Sequence, residues 1–133
     1  MTAYNFKPQF AAPILAKTKT GTVRMVGKGR HARPGGPVSL YVGLRTKHSR
    51  RLGMATAVTV RPITINPEAG RIDFPALVMA PSIIDTAALH AFARADGFTG
   101  WSDFIGWFRA TYPDMPIING VHIHWANTFV PDE

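Results

Sequence analysis

The sequence predicts a single α+β domain: a small mixed β-barrel or open sheet with two or three short covering helices. Three observations carry that prediction. The chain has 133 residues, enough to close one core and no more than one domain's worth. Its first half holds short Val-, Thr- and Ile-rich runs with alternating polarity, separated by Gly- and Pro-bearing loops, which is the pattern of strands. Its second half changes to apolar residues at three- and four-residue steps, the pattern of helices, before alternation returns near the end.

Taken in order, Pro8 opens a helical turn or two reaching about Lys17, with Phe10, Ile14 and Leu15 facing the core and Pro13 limiting where the helix begins. "TGTVRMV" then alternates Val23 and Met25 with Thr22 and Arg24, a strand with one buried and one polar face. "GKGRHARPGG" is a basic loop ending in a turn, and "PVSLYVG" is the next strand. A second basic loop, "LRTKHSRR", leads into "GMATAVTVRPITI", a long β-rich run that Pro62 bends or places on an edge. "NPEAG" is turn chemistry before "RIDFPALVM". Asp85 or Thr86 caps a helix containing Leu89, Phe92 and Ala93, and Gly97 suits its end. Trp101, Phe104 and Phe108 mark a second helix that Pro113 stops. The chain closes on a strand in which Val121, Ile123 and Trp125 form a buried stripe opposite His122 and His124. No internal repeat, low-complexity tract or linker interrupts this order.

Composition narrows the function classes. With 46% apolar residues and no run near the ~18 apolar residues of a membrane span, a soluble protein without a membrane partner is expected. Residues 1 to 15 lack the charged start and long apolar run of a secretory signal, so the cytoplasm is the expected compartment. The absence of cysteine excludes disulfides, thiol nucleophiles and thiolate metal sites. Charge is sharply segregated: residues 1 to 67 carry twelve Lys/Arg and no acid, residues 68 to 133 three Lys/Arg and all eight acids, giving +12 and −5. Unless the second half folds against them, the early cations present a positive surface to polyanions, nucleic acid first. An acidic protein partner is the weaker possibility, and a merely solubilising charge the plain one.

The densest chemistry lies in "KTKTGTVR", residues 17 to 24, where two lysines, three threonines and an arginine stand beside an apolar run without a carboxylate. Such a set suits an anionic ligand or a nucleoside. Arg45, Lys47, His48, Arg50 and Arg51 form a second basic cluster suited to a phosphate backbone, with Tyr41 nearby as a stacking face. Lys28, Arg30, His31 and Arg33 form a third, in a glycine-rich loop. His122 and His124 point the same way on their strand but lack a third ligand, so no metal and no cofactor are expected. The three tryptophans, Trp101, Trp107 and Trp125, read first as packing anchors.

Four stretches in register resemble the ASCH family: "ILAKTKTGTVR", "HARPGGPVSLYVGLRTKHSRRL", "ADGF" before an aromatic-rich helix, and "GVHIHW". The resemblance runs from about Phe6 to Trp125 and is nearest to stand-alone phage and bacterial members. It implies a PUA-like mixed β-barrel with a cleft that binds RNA or a modified nucleoside, DNA remaining open. Some small bacterial members are amidohydrolases acting on acetylcytidine, and others are linked to RNA cleavage, so a small metal-independent hydrolase is the alternative. In that pattern the functional lysine falls on Lys19, the hydroxyl on Thr22 and the strand arginine on Arg24. The catalytic glutamate falls on Asp96, which is one methylene shorter. The residues themselves permit Lys19 as a base of lowered pKa, Thr22 as nucleophile, Arg24 as oxyanion stabiliser and Asp96 as the group orienting Lys19. The expected catalytic set is Lys19, Thr22 and Asp96. The expected nucleic-acid contacts are Lys17, Arg24, Arg30, Arg33, Tyr41, Arg45, Lys47, His48, Arg50 and Arg51.

Overall fold

The computed structural model describes residues 2–27, 30–77 and 82–132. Within them the strands assort into two four-stranded sheets, ordered β1-β3-β4-β8 and β2-β7-β5-β6. The first contains β1 (Thr2–Phe6), β3 (Pro37–Val42), β4 (Arg50–Thr56) and β8 (Val130–Pro131); the second β2 (Gly21–Met25), β5 (Thr59–Asn66), β6 (Arg71–Asp73) and β7 (Ile118–His124). β1 runs parallel to β3, and the other strand pairs are antiparallel. Helices α1 (Ala11–Leu15), α2 (Thr86–Ala95) and α3 (Trp101–Thr111) complete the α+β architecture.

The helices follow their local signals. Asp85 caps α2, its carboxylate accepting the Ala88 N–H at 3.1 Å. Phe104 of α3 meets Phe92 of α2 edge to face, ring centroids 5.9 Å apart. α1 stops at Leu15 rather than Lys17, because Lys17 adopts φ +65° and turns the chain; Leu15 is consequently exposed, while Phe10 and Ile14 are buried.

Several strand expectations need correction. Residues 2 to 6 were not anticipated as β1, although Tyr4 and Phe6 alternate toward the core. The run after Gly53 is two strands, not one: the Ala57 N–H bonds to the Gly36 carbonyl and the Val58 N–H to the His124 carbonyl, so the chain changes sheets there. Pro62 lies in the part of β5 that β6, paired only along Thr64–Asn66, does not reach. β6 covers just Arg71–Asp73 of "RIDFPALVM", and Val78 and Met79 fall outside the described residues. β7 is followed by β8, so it does not close the chain.

The one-polar-face readings of β2 and β7 also fail. Register places Thr22 opposite Ile123 and Val23 opposite His122, and directly paired residues share a sheet face. Each face therefore mixes the polar positions of one strand with the apolar positions of the other. Thr22 and His122 are both buried, because the sheet is covered on both sides. Phe92 of α2 packs over His122 at 5.0 Å between centroids, and Phe6 of β1 lies under the Arg24 guanidinium at 4.7 Å.

Candidate functional site

One corner of the fold brings the early cationic segment against the end of α2. The Lys17 turn returns the Thr18 and Lys19 N–H groups to the Pro13 carbonyl, which fixes where the Lys19 side chain leaves the backbone. At the other side, Asp96 ends α2 and Gly97 follows with φ +96°, allowing the Phe98 N–H to reach back to the Ala93 carbonyl at 3.0 Å. The Thr20 N–H bonds to the Ala95 carbonyl at 2.7 Å and locks the two segments together. Gly97 is required twice over. Besides its φ, a Cβ there would lie 2.7 Å from Lys19 Cδ and 3.0 Å from Phe10 Cδ1.

Lys19 is only 2% exposed. Its ammonium donates to the Gly21 carbonyl at 2.7 Å and to the Asp96 carbonyl, and stands 3.7 Å from Asp96 Oδ1. The shorter aspartate side chain thus reaches ion-pair but not hydrogen-bond distance. Asp96 Oδ1 is buried without a hydrogen-bond partner among the described residues. The Phe6 and Phe10 rings lie 5.3 and 5.0 Å from the ammonium.

This pair sits in the wall of a cavity of about 280 Å³. Phe10, Phe98, Trp107 and Tyr112 supply aromatic walls, with Thr22, Arg24 and Asn5 as further polar lining. Arg24 is held by three neighbours: Nε donates to Thr22 Oγ1 at 3.2 Å, Nη2 donates to the Asn5 carbonyl at 2.7 Å, and the guanidinium lies 5.3 Å from the Tyr4 ring centre.

Burial dominates the electrostatics. Desolvation lowers the Lys19 pKa to about 8, Asp96 opposing the shift and Arg24 adding to it. Desolvation likewise raises Asp96 to about 6, against the pull of Lys19 and Arg24. At pH 7 both groups are mainly charged, with about a tenth of Lys19 neutral. The Lys19 hydrogen bonds go to backbone carbonyls and not to Thr22, whose Oγ1 accepts from Arg24. In this arrangement Thr22 is hydrogen-bonded to the Arg24 guanidinium and not to the Lys19 ammonium.

The other expected site residues are distributed more widely. Lys17 is exposed and does not line the cavity. Lys28 lies outside the described residues. Arg30 and Arg33 are exposed and flank an anchor in which the Ala32 N–H donates to Tyr4 Oη at 3.1 Å and His31 Nδ1 lies 3.1 Å from the same oxygen. Arg45, Lys47, His48 and Arg50 are exposed in the loop between β3 and β4 and at its end. That loop is tied to the cavity rim, since the Leu44 N–H donates to Asn5 Oδ1 at 2.8 Å. Tyr41 is half-buried on β3. Arg51 is engaged by Asp132 through two hydrogen bonds of 2.8 and 3.1 Å, so the acidic half does supply partners to some early cations. The sequence reading does not identify Asn5, Phe6 and Tyr112 as cavity residues, and it reads Phe10 as a core residue and Trp107 first as a packing anchor. The alternation of Tyr4 and Phe6 was the available signal for β1.

The fold is similar to that of a solved ASCH protein. Over 98% of this chain and 73% of the other, it superposes with a TM-score of 0.52 and 11% identity on a mutant of ZmASCH from Zymomonas mobilis. No protein-family model and no curated protein matches the chain. The likeness is one of fold: the α+β arrangement of this chain is ASCH-like. Among the described residues, no helix is long and apolar enough to cross a membrane.

Proposed function

We propose that the cavity holds one nucleoside unit, free or turned out of an RNA strand, as an ASCH-like domain would. The observation that carries this reading is the buried Lys19–Asp96 pair, whose Asp96 Oδ1 has no hydrogen-bond partner among the described residues, in an aromatic-walled hollow. A flat base bearing an amide-like edge answers both features. Its N–H satisfies Asp96 Oδ1, its carbonyl accepts from Lys19 or Arg24, and its ring stacks on the aromatic walls. At about 280 Å³ the cavity takes a single base and excludes a stacked pair. Turning a base out of a strand costs little when the strand is already single. The loop carrying Arg45, Lys47, His48 and Arg50, attached to the rim through Asn5, would follow the flanking phosphates.

The second reading is a hydrolase that adds water across the acyl C–N bond of an acetylated cytidine, releasing acetate and the free amine. The opposed displacements of Lys19 to about 8 and Asp96 to about 6 favour it, since both values bracket neutral pH. Lys19 would serve as base, Thr22 as nucleophile and Asp96 as the residue orienting Lys19.

One experiment separates them. The protein is titrated with cytidine, acetylcytidine, uridine and short single-stranded RNA and DNA, following tryptophan fluorescence, while product is followed by chromatography. Saturable quenching without product is expected, weakened at least tenfold in Asp96→Ala. Acetate release lost in Lys19→Ala selects the hydrolase. Failure of every nucleoside and strand to bind refutes both readings and moves attention to an acidic protein partner.

A further inference from the structure

A second cavity, of about 220 Å³, is lined by Arg61, His122, His124, Phe74 and Phe92 with the Thr20–Gly21 backbone. Register explains the assembly. Arg61 of β5 pairs directly with His122 of β7, and Thr59 with His124, so Arg61, His122 and His124 share one face of the sheet. α2 contributes Phe92 and the segment after β6 contributes Phe74.

The polar atoms here are poorly satisfied. Arg61 Nε and His122 Nδ1 are buried and have no hydrogen-bond partner among the described residues. The Arg61 guanidinium lies 4.1 Å from the Phe74 ring centre, and no described carboxylate forms an ion pair with it. His122, 7% exposed, has its Nε2 close to Gly21, where a Cβ would come within 2.9 Å. Desolvation, followed by the charges of His124, Arg61 and Lys19, lowers the His122 pKa to about 3, and His124 is lowered too, chiefly by desolvation. Both imidazoles are therefore neutral at pH 7 and can each present an N–H. A fixed guanidinium and two neutral imidazoles, with no carboxylate among the lining residues, make a donor set for oxygen acceptors. It is a poor metal site: among the described residues no group of three His, Cys, Asp or Glu side chains is placed to hold an ion.

We propose that this second cavity binds a compact oxyanion, a phosphate or carboxylate group of a small molecule, between Arg61 and His122. The anion neutralises Arg61 and satisfies Arg61 Nε and His122 Nδ1 together, with Phe74 and Phe92 as apolar walls. This site is separate from the nucleoside cavity. The two have no lining residue in common: Lys19, Thr22 and Asp96 line the first, whereas their chain neighbours Thr20, Gly21 and Ala95 line the second.

The test uses the full chain, with inorganic phosphate and benzoate as probes at constant ionic strength, followed by NMR of the Arg61 Nε–H and His122 ring resonances. Saturable shifts of both groups with at least one probe are expected at millimolar concentration. Arg61→Gln is expected to weaken that binding at least tenfold while nucleoside binding in the first cavity is retained. Arg61→Lys, which keeps the charge but loses the planar fork, is expected to restore less than half of the lost affinity. Absence of saturable shifts with both probes overturns the proposal, as does unchanged anion affinity in a folded Arg61→Gln protein. Loss of nucleoside binding alone bears on the first cavity and leaves the second standing.

Discussion

Lys19→Met keeps the length and apolar bulk of the buried side chain but removes its charge and donors. Two carbonyls, of Gly21 and Asp96, lose their ammonium donor, at about 1 kcal/mol each. Asp96, 4% exposed, loses its only ion-pair partner among the described residues and must take up a proton or remain buried and charged. In the parent protein Asp96 titrates at about 6, above its ordinary 3.8, so its penalty is absent below pH 3.8 and grows as pH rises to about 6. Without Lys19 the folded-state pKa rises further, and the penalty continues to grow above pH 6 at about 1.4 kcal/mol per unit. The stability difference between parent and variant therefore grows by about 1.4 kcal/mol per pH unit above pH 6, about 2 kcal/mol by pH 7.5, on top of a constant offset set by the lost hydrogen bonds and by relief of the buried Lys19 charge. Urea unfolding of both proteins across pH 5 to 7.5 measures it. A difference that stays flat across that range, or a Lys19→Met/Asp96→Asn double variant no more stable at pH 7.5 than the single one, would refute the buried-pair account.

Three further outcomes are expected. Gly97→Ala combines a positive φ with a 2.7 Å approach to Lys19 Cδ and should cost about 2–3 kcal/mol by thermal or urea unfolding; a neutral effect would mean the corner is not closely packed. His122 stays neutral to about 3 while the unfolded chain protonates near its ordinary 6.5, so its stability contribution is lost as pH falls through that window. His122→Phe should flatten the acid limb of the stability profile by about 1.4 kcal/mol per pH unit between 6.5 and 4, and an unchanged slope contradicts a buried neutral imidazole. Reversing charge at Arg45, Lys47 and Arg50 should lower the salt dependence of single-stranded RNA binding by about 0.7 in log–log slope for each lost phosphate contact. Filter-binding across a salt series reads it, and an unaltered slope removes the loop from the interface.

Legibility tracked the range of the interactions. α2 and α3 could be placed from Asp85, Gly97, Trp101, Phe104 and Phe108, because caps and helical spacing act within a few residues. β1 was missed because its reason for existing is a parallel pairing with β3, more than thirty positions along the chain. The break at Ala57 was missed for a similar reason: it is a change of hydrogen-bonding partner within a continuous β-rich run. Residue types pointed to Lys19, Thr22, Arg24 and Asp96, but their type did not tell that Arg24 would lie against Tyr4, Asn5 and Phe6 of β1. Residue type marks Arg61 only as one of the twelve cations of the first half, and His122 and His124 only as residues on one face of a strand. Their shared cavity depends on the β5–β7 register and on Phe92 closing over it from α2.

By itself the sequence determined the mixed architecture, the placement of α2 and α3 and the segregation of charge, since those follow from local periodicity, capping and composition. The meeting of Lys19 with Asp96, the orphaned Asp96 oxygen and the second basic hollow were decided only by tertiary packing. Burial is a property of what covers a side chain, and here much of the cover comes from distant segments: Asp96 and Gly97 beside Lys19, and Phe92 over His122. Desolvation supplied by those segments is what turns ordinary lysine, aspartate and histidine side chains into groups with displaced pKa values.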